Sequence, residues 1–400
     1  MDRVTTVPIS TDVLIVGAGP AGLALRRALD QLGVASILVD RHAAGLNTSR
    51  AAVIHARTLE VLEPLGVVPA LLAEGLKTPD FCVREGRDVL LRIGFAGLPS
   101  PHPYALMCPQ NVTEAVLAAG LCPRNATVWR PARLVSFKEV PGGIAAELDC
   151  PEAGPRQVHA CWIVGCDGAR SDVRAGAGIA FEGGDYAQRF VLADVRMDWP
   201  LPRSEVSLFF SPEGLVVVAP LPGGPSRGVE GADRYRIVAT VNDPDPDVTL
   251  ARVHTLLGVR GPRPGTAPAV TELLWGSSFQ VQHRLAAQVW KGRALLCGDA
   301  AHVHSPAGGQ GMNTGIQDAV ELAAPLHRAL REGDTGAIAA WAARRHAIAR
   351  EVVRTTDALT RLATASSPLA RAARGALLGL VDHLPFVRRR IAMQLAELDR

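Results

Sequence analysis

The sequence predicts an α/β fold with a mainly parallel sheet flanked by helices, a mostly antiparallel second lobe, and C-terminal helices. The apolar runs Val13–Val16 and Ser36–Val39 are typical of buried parallel strands, and residues 21–32 between them have a helical pattern. From about Glu182 to Trp290, short β-rich runs alternate with proline and glycine turns, which favours an antiparallel sheet. Helical spacing of apolar residues near the C terminus predicts the C-terminal helices.

The remaining elements follow from the same patterns. They are a helix over about 51–65, strands over about 79–104, a helix over 112–121, buried strands at 162–165 and 294–297, and a helix over about 313–330. The C-terminal stripe comprises Ile338, Trp341, Ile348, Val352, Leu359 and Leu362. It predicts a long helix packed on the body of the protein, with a coiled-coil dimer seam as the alternative, so we expect a monomer or a homodimer.

Composition excludes several classes of protein. The 400 residues are 48% hydrophobic and 20% charged, which excludes a disordered or collagen-like chain and is enough for two or three domains. The 42 Lys and Arg residues against 39 Asp and Glu give a net charge of +3, which argues against a nucleic-acid partner.

The cysteine content and the lengths of the apolar runs predict where the protein works and whether it crosses a membrane. Seven scattered cysteines without a C-x-x-C pair argue against a disulfide framework or a zinc site, so we expect no metal and a reducing, cytoplasmic setting. The N terminus does not have the pattern of a secretory signal, and we find no uncharged apolar run of about 18 residues, so no membrane span is expected.

A glycine turn follows the first strand. Residues 17–22 fit G-x-G-x-x-G, and they lie between a strand and a helix, with Asp40 at the end of the next strand. Gly17 permits the turn, Gly19 lets the backbone approach a pyrophosphate, and Gly22 lets the helix pack on the strand. The helix N terminus favours phosphate, and Asp40 can accept hydrogen bonds from ribose hydroxyls. The pattern predicts a bound dinucleotide without distinguishing FAD from NAD.

Two further motifs each place an aspartate directly after a buried strand. Residues 165–174 contain Asp167-Gly168, and residues 298–313 contain Gly298-Asp299 followed by a glycine-rich loop. Ligands of α/β sheets bind at the carboxyl ends of the strands, so we expect all three motifs to lie together.

These three motifs, in this order, resemble the single-component FAD-dependent aromatic monooxygenases that share the para-hydroxybenzoate hydroxylase fold. The resemblance covers nearly the whole chain and implies a Rossmann-like FAD-binding domain formed by residues 1–78, 106–180 and 285–335. Residues 79–105 and 181–284 would form the substrate-binding lobe, and 336–400 the C-terminal helices. Several larger relatives carry a thioredoxin-like C-terminal domain; we expect none in this chain, so that the resemblance is to compact, polyketide hydroxylase-like members.

The resemblance also implies FAD contacts for individual residues. They are Gly17, Gly19, Pro20, Ala21 and Gly22 in the first turn; Asp40 and Arg41 after the second strand; Arg50, with Arg57 as its alternative; Gln110; Leu134, at a backbone contact to adenine; Asp167; Asp299, expected to hold the ribityl chain; and Pro306, Gly309, Gly311, Met312 and Asn313 around the flavin ring. Backbone N–H groups of the loop glycines and the positive end of the following helix would stabilise negative charge on a reduced flavin.

The implied reaction uses NADPH or NADH to reduce FAD, and then O2 to form a flavin hydroperoxide that hydroxylates a phenolic or polyketide-derived ring. Antibiotic biosynthesis is one setting for such an enzyme. A general base would activate the ring, but the sequence does not identify it among His102, Tyr104, His283, His302 and His304. The alternatives are epoxidation or oxygen insertion by the same intermediate, and a flavin-binding protein that does not oxygenate.

The antiparallel lobe is expected to supply the substrate pocket. Phe209, Val218 and Pro220 lie on its predicted strands and are candidate pocket walls, although ordinary sheet core explains them equally well.

Overall fold

The computed structural model describes residues 9–45, 51–121, 128–223, 233–241, 247–263, 265, 268–364 and 368–399. The strands are β1 (Ile9–Val16), β2 (Ser36–Val39), β3 (Val53–Ile54), β4 (Leu76–Thr78), β5 (Asp80–Glu85), β6 (Asp88–Gly94), β7 (Ala105–Met107), β8 (Arg133–Val140), β9 (Gly143–Asp149), β10 (Arg156–Gly165), β11 (Phe181–Met197), β12 (Glu205–Ser211), β13 (Gly214–Pro220), β14 (Arg234–Val241), β15 (Val270–Ala286), β16 (Trp290–Lys291), β17 (Ala294–Leu296) and β18 (His302–Val303). The helices are α1 (Pro20–Gln31), α2 (Ala56–Leu62), α3 (Val68–Glu74), α4 (Gln110–Ala118), α5 (Asp172–Gly176), α6 (Leu250–Arg260), α7 (Gly311–Glu332), α8 (Gly336–Thr364), α9 (Pro368–Asp382) and α10 (Pro385–Leu395).

A parallel sheet forms the base of the molecule. Its central strands run in the order β17-β10-β1-β2, and β16, β9 and β8 extend it by antiparallel pairing. Val16 lies opposite both Val39 and Gly165, and Gly165 lies opposite Leu296, so the four parallel strands end at one edge. Their apolar residues are buried in one core with α1 and α7, which explains the continuous apolar runs in the sequence.

The second sheet has the order β18-β15-β11-β14-β13-β12-β5-β6, and every pairing except β12–β5 is antiparallel. One face packs against α6, which contributes Val253 and Leu257 to the shared core. The other face contributes Phe210 and Leu215 to a core with Ala392 of α10. A parallel sheet, an antiparallel lobe and C-terminal helices confirm the predicted fold class.

The strands of residues 80–94 share this second sheet with those of residues 181–286, although they precede them by about a hundred residues in the chain. The proposed domain boundaries remain a prediction. No helix in the described ranges is long and apolar enough to cross a membrane.

The helix predicted over 51–65 begins later than expected. Val53 and Ile54 form β3, which pairs with β7, and α2 starts only at Ala56. Both residues are β-branched, and the backbone of β7 satisfies their hydrogen bonds, so strand pairing outweighs helical spacing here.

The predicted burial of the C-terminal apolar stripe is only partly confirmed. Ile338, Trp341 and Val352 are buried in α8 as predicted, but Leu359 is 39% exposed. Polar residues occupy the buried face of α8 as well: Arg345, Thr356 and Thr360. The spacing of apolar residues cannot predict that these polar side chains are buried, because their burial depends on hydrogen-bond partners from other elements.

A buried charge network joins α7 and α8 to the end of the parallel sheet. Asp318 in α7 accepts hydrogen bonds from Arg345 Nε (2.6 Å) and His302 Nε2 (2.7 Å). It also accepts one from the backbone N–H of Gly298 (3.2 Å), directly after β17. Burial opposes ionisation of Asp318, but Arg345 and His302 outweigh it, so the pKa of Asp318 lies below its ordinary value.

We expect Arg345→Met to lower the free energy of unfolding by about 3–5 kcal/mol, because Asp318 loses its main counter-charge while remaining buried. Denaturant unfolding measures this loss. Arg344→Met is the matched control: its guanidinium is half-exposed and pairs with Glu321, so about 1 kcal/mol or less is expected.

The effect of Arg345→Met depends on pH in a defined direction. A depressed carboxyl pKa contributes stability that is present above the unfolded pKa of about 3.9 and is lost as pH falls through the folded pKa. The difference between the parent and Arg345→Met should therefore shrink below about pH 5. A difference that is constant between pH 7 and pH 3.5 would contradict this account.

Candidate cofactor site

The glycine turn lies between β1 and α1, pressed against the end of β10. Gly17 has φ +101°, and a Cβ there would lie 2.3 Å from the carbonyl oxygen of Cys166. A Cβ at Gly22 would lie 1.9 Å from the carbonyl oxygen of Gly17, so both positions exclude a side chain. Gly19 differs: its φ is −79°, and a Cβ there would meet nothing within 4 Å. The open side of the turn is thus at Gly19, where no side chain caps the N terminus of α1.

Asp40 is fixed beside this turn. Its carboxylate accepts hydrogen bonds from the backbone N–H groups of Ala18 (2.7 Å) and His42 (2.8 Å). Next to it is a cavity of about 460 Å³. The lining residues are Arg41, His42, Pro131, Ala132, Arg133, Asp149 and Pro151. A carboxylate between a phosphate turn and a polar cavity suits the ribose and base of an adenine nucleotide.

Asp167 lies directly behind the turn, with its Cα 2.7 Å from where a Cβ on Gly17 would be. Its Oδ2 accepts from the backbone N–H groups of Asp172 (2.7 Å) and Val173 (3.1 Å). Its Oδ1 is buried and has no hydrogen-bond partner among the described residues. Burial raises the pKa of Asp167, although its hydrogen bonds oppose the shift. An unsatisfied buried acceptor at this place suits a ligand that donates a hydrogen bond.

The third motif lies beside the Asp167 loop. Asp299 is exposed between buried Gly298 and Ala300 at the end of β17. Arg174 donates to the carbonyl oxygen of Ala300 (2.8 Å), which ties this motif to the Asp167 loop. A Cβ on Gly315 of α7 would lie 3.0 Å from the Cα of Gly298, so the small residue allows α7 to approach closely.

The glycine-rich loop is held against β3. Gly309 has φ +66°, and a Cβ there would lie 2.2 Å from Cγ1 of Val53. Asn313 Oδ1 accepts from the backbone N–H of His55 (2.8 Å), and Asn313 Nδ2 donates to the carbonyl oxygen of Val53 (2.9 Å). His55 Nε2 is 2.8 Å from the carbonyl oxygen of Gly308. Helix α7 starts at Gly311 without a side-chain cap, so its first N–H groups remain for a ligand.

The other predicted cofactor residues differ in their positions and in their contacts. Gln110 Nε2 donates to Glu114 (2.8 Å) at the start of α4. Leu134 is buried in β8, and its neighbours Ala132 and Arg133 line the cavity instead. Arg50 lies outside the described residues. Its alternative, Arg57, pairs with Glu60 in α2 (3.0 Å).

Sequence reasoning missed Arg130. Its Nη2 donates to the carbonyl oxygen of Ala18 (2.9 Å), within the glycine turn and next to Asp40. The segment that carries it lies beside β2, where Val39 pairs with Trp129. An isolated arginine between strands gives no signal of this kind in the sequence, because the contact depends on the pairing of distant segments.

The five candidate bases all have structural partners. His302 bonds to Asp318, and His304 Nδ1 donates to the carbonyl oxygen of Ser305 (3.0 Å). The other three form two pairs: His102 lies 3.1 Å from the Tyr104 hydroxyl, and His283 packs on the ring of Tyr186. The catalytic base stays unassigned.

The substrate candidates lie on the face of the second sheet that packs against α6. Phe209 and Val218 are buried there in the core with Val253, and Pro220 shares their face by strand alternation. The opposite face carries Val217, which is half-buried and packs in the cluster that includes Val53. The wall-forming role of Phe209, Val218 and Pro220 is untested, and the burial of Phe209 and Val218 against α6 favours the alternative of ordinary sheet core.

Together these features fit FAD: a phosphate turn with an open side, a carboxylate beside a cavity, an unsatisfied carboxyl oxygen, and a glycine loop before a long helix. The sequence profile of the FAD binding domain family matches residues 10–356. The chain belongs to this family. The match confirms the predicted FAD cofactor, with NADPH or NADH as the family's usual co-substrate.

Two of the proteins similar to this chain are named as monooxygenases. The chain is 35% identical to 6-methylpretetramide 4-monooxygenase of Streptomyces rimosus over 367 residues, which is 90% of this chain and 64% of that protein. It is 32% identical to pentachlorophenol 4-monooxygenase of Sphingobium chlorophenolicum over 323 residues, 78% of this chain and 57% of that protein. The chain thus spans less than two thirds of both relatives.

A solved structure matches over its whole length. The crystal structure of p-nitrophenol 4-monooxygenase from Pseudomonas putida has a TM-score of 0.85 and 25% identity, covering 98% of this chain and 99% of that one. The chain therefore shares its fold with this structure over nearly the whole of both chains, and together with the named relatives this confirms the predicted FAD-dependent aromatic monooxygenase family.

We expect Gly19→Ala to weaken FAD binding without weakening the fold. The added Cβ meets no protein atom and φ is ordinary, so the apo protein should keep its unfolding free energy within about 0.5 kcal/mol. The same Cβ would obstruct a pyrophosphate and raise the FAD dissociation constant at least about tenfold, or ~1.4 kcal/mol. Quenching of flavin fluorescence measures the constant.

Gly379→Ala in α9 is the matched control, since a Cβ there also meets nothing within 4 Å. It should leave FAD affinity unchanged. Equal FAD affinity in Gly19→Ala and the parent would place the pyrophosphate elsewhere.

Proposed function

We propose that the protein uses NADPH or NADH and O2 to hydroxylate an aromatic small molecule, phenolic or polyketide-derived. The observation that carries this proposal is the convergence of the glycine turn, Asp167 and the Asp299 loop at one sheet edge, with the N terminus of α7 beside them. The names of the relatives, which refer to a tetracycline precursor and to substituted phenols, support the substrate class.

FAD, when bound, supplies the electron transfer from the nicotinamide and the activation of O2. The chain's own residues have three tasks. The backbone N–H groups at the start of α7 favour negative charge nearby, by about 0.3–1 kcal/mol or up to ~2 where partly buried. Asp40 and Asp167 orient hydroxyl groups by accepting hydrogen bonds. The face of the second sheet next to Val53 excludes water and orients the substrate.

This sheet face is the proposed substrate wall. Val217 and Leu208 are half-buried and lie in one cluster with Val53, which contacts the glycine loop at Gly309. Ala219 lies further along the same face, in one cluster with Ala52. Half-exposed apolar side chains beside the loop offer a surface on which an aromatic ring can be buried.

We propose that the enzyme works in the cytoplasm as a monomer or homodimer. The described cysteines are free: Cys82, Cys108, Cys150, Cys161, Cys166 and Cys297. Free thiols in this number suit a reducing compartment.

We expect Val217→Phe to change substrate preference. A larger side chain on the proposed wall should lower kcat/KM for bulky phenols relative to small ones by about tenfold, ~1.4 kcal/mol. Val218→Ala, one residue away on the opposite face, should leave that ratio unchanged while lowering unfolding free energy by about 2 kcal/mol. Steady-state kinetics on a series of phenols tests both, and a changed ratio in Val218→Ala alone would reverse the assignment of faces.

The activity itself is tested with the FAD-loaded protein. NADPH and NADH are each supplied in air with a panel of phenols and aromatic polyketides, and nicotinamide oxidation and O2 uptake are followed. A substrate should stimulate both, and its product should contain one oxygen atom from isotopically labelled O2. FAD binding without any substrate-stimulated O2 uptake would favour a non-oxygenating flavoprotein, and the product structure separates hydroxylation from epoxidation or ring insertion.

A further inference from the structure

A buried carboxylate lies behind the glycine-rich loop, in a segment that the cofactor motifs do not include. Glu397 follows α10, is 0% exposed, and has φ +61°. Among the residues that the structure describes, no other non-glycine residue has a positive φ. Left-handed backbone is rare for glutamate, and a charged side chain is rarely buried completely, so specific contacts must hold this residue in place.

The contacts of Glu397 lie on the first two turns of α7. Gln317 Nε2 donates to Glu397 Oε2 (2.5 Å), and Thr314 Oγ1 donates to Glu397 Oε1 (3.5 Å). Gln317 Nε2 also lies 2.9 Å from the Thr58 hydroxyl in α2. The carboxylate therefore stands at the junction of α7 and α2.

The residues just before Glu397 contact the other elements around the loop. The Ala396 carbonyl oxygen accepts a hydrogen bond from the backbone N–H of Arg57 (3.1 Å). The side chain of Leu395 lies 3.5 Å from where a Cβ on Gly308 would be. The 395–397 segment thus contacts α2, the glycine-rich loop and α7 together.

The guanidinium of Arg345 interacts electrostatically with Glu397. Arg345 donates to the carbonyl oxygen of Thr314 (3.2 Å), one of the residues that contacts Glu397. Burial lowers the pKa of Arg345, but Asp318, Glu321 and Glu397 outweigh it and raise the pKa. The buried carboxylate of Glu397 thus accepts side-chain hydrogen bonds from Gln317 and Thr314, which offset part of the cost of its burial.

We propose that Glu397 is a positioning residue for FAD: it fixes the start of α7 relative to α2, and so holds the Pro306–Asn313 loop in the geometry that binds the flavin. The proposal rests on the FAD site described above. Gly308 and Gly309 give this loop freedom that must be restricted before it can bind tightly. The contacts of residues 395–397 with α2, α7 and Gly308 can restrict the loop without themselves occupying the proposed FAD site.

The experiment compares Glu397→Gln with the parent. The amide keeps the shape but replaces one of the two accepting carboxylate oxygens with an NH2 donor, so the hydrogen bonds to Gln317 and Thr314 cannot both be kept as they are and the junction should loosen. We expect the FAD dissociation constant to rise about tenfold, with most of the change in the dissociation rate. Asp399→Asn, an identical change at an exposed residue of the same segment, should leave both values unchanged.

Two further measurements separate positioning from folding. Denaturant unfolding with and without FAD gives the stabilisation by the cofactor, which should be smaller in Glu397→Gln even if its apo form is as stable as the parent. Glu397→Gly removes the carboxylate and relieves the positive φ, so its apo form should remain folded while FAD affinity is still reduced. Parental FAD affinity in both variants would overturn the proposal.

Hydrogen exchange of residues 306–313 in the apo proteins gives an independent readout. Glu397→Gln should exchange faster in this loop, and Asp399→Asn should not. Unchanged exchange there would also overturn the proposal. A parent that fails to bind FAD would contradict the FAD site itself, and a parent that binds FAD without oxygenating would contradict the proposed reaction while leaving the role of Glu397 intact.

Discussion

The parallel pairing of β1, β2, β10 and β17 is the constraint on which the site depends. Backbone hydrogen bonds continue one step past the strand ends: Gly17 N–H to Val39 O (2.8 Å), Cys166 N–H to Val16 O (2.7 Å), and Cys297 N–H to Gly165 O (2.9 Å). Each bond fixes the start of a loop relative to its neighbour. Motifs that are about 130 to 150 residues apart in the chain therefore lie on neighbouring strands, ~4.8 Å from one strand to the next. A shift of one residue in any pairing would move an aspartate away from the turn.

Much of this could be predicted from the sequence, because the decisive signals are local. A buried strand, a glycine turn and an acidic residue after the next strand are short-range features, and so are the two Asp motifs that follow strands. The helix predicted over 51–65 was wrong at its start because the partner of Val53 lies at Met107, which no local pattern reveals. Arg130 and Glu397 were missed for the same reason.

The second sheet shows a different limit of sequence reasoning. Alternation along β13 separates Val217 from Val218, but nothing in the sequence tells which of the two faces α6. Both faces are apolar, since one packs on a helix and the other on the C-terminal segment and the region around Val53. Hydrophobicity identifies the strands correctly and leaves the substrate face undetermined until the tertiary contacts are known.

The C-terminal helices have a role beyond covering the core. The hydroxyl groups of Thr360 in α8 and Ser305 are hydrogen-bonded (2.7 Å), and Arg345 bonds to Asp318. Both contacts, like those of Glu397, reach the glycine-rich loop or its helix from elements outside the cofactor motifs. Fixing the backbone of one residue costs ~1–2 kcal/mol of conformational entropy, and a glycine costs more than other residues. A glycine-rich loop also has few side chains whose contacts could offset this cost. Buried polar residues of the flanking helices supply those interactions instead, which explains why the buried face of α8 departs from an apolar stripe where it passes the loop.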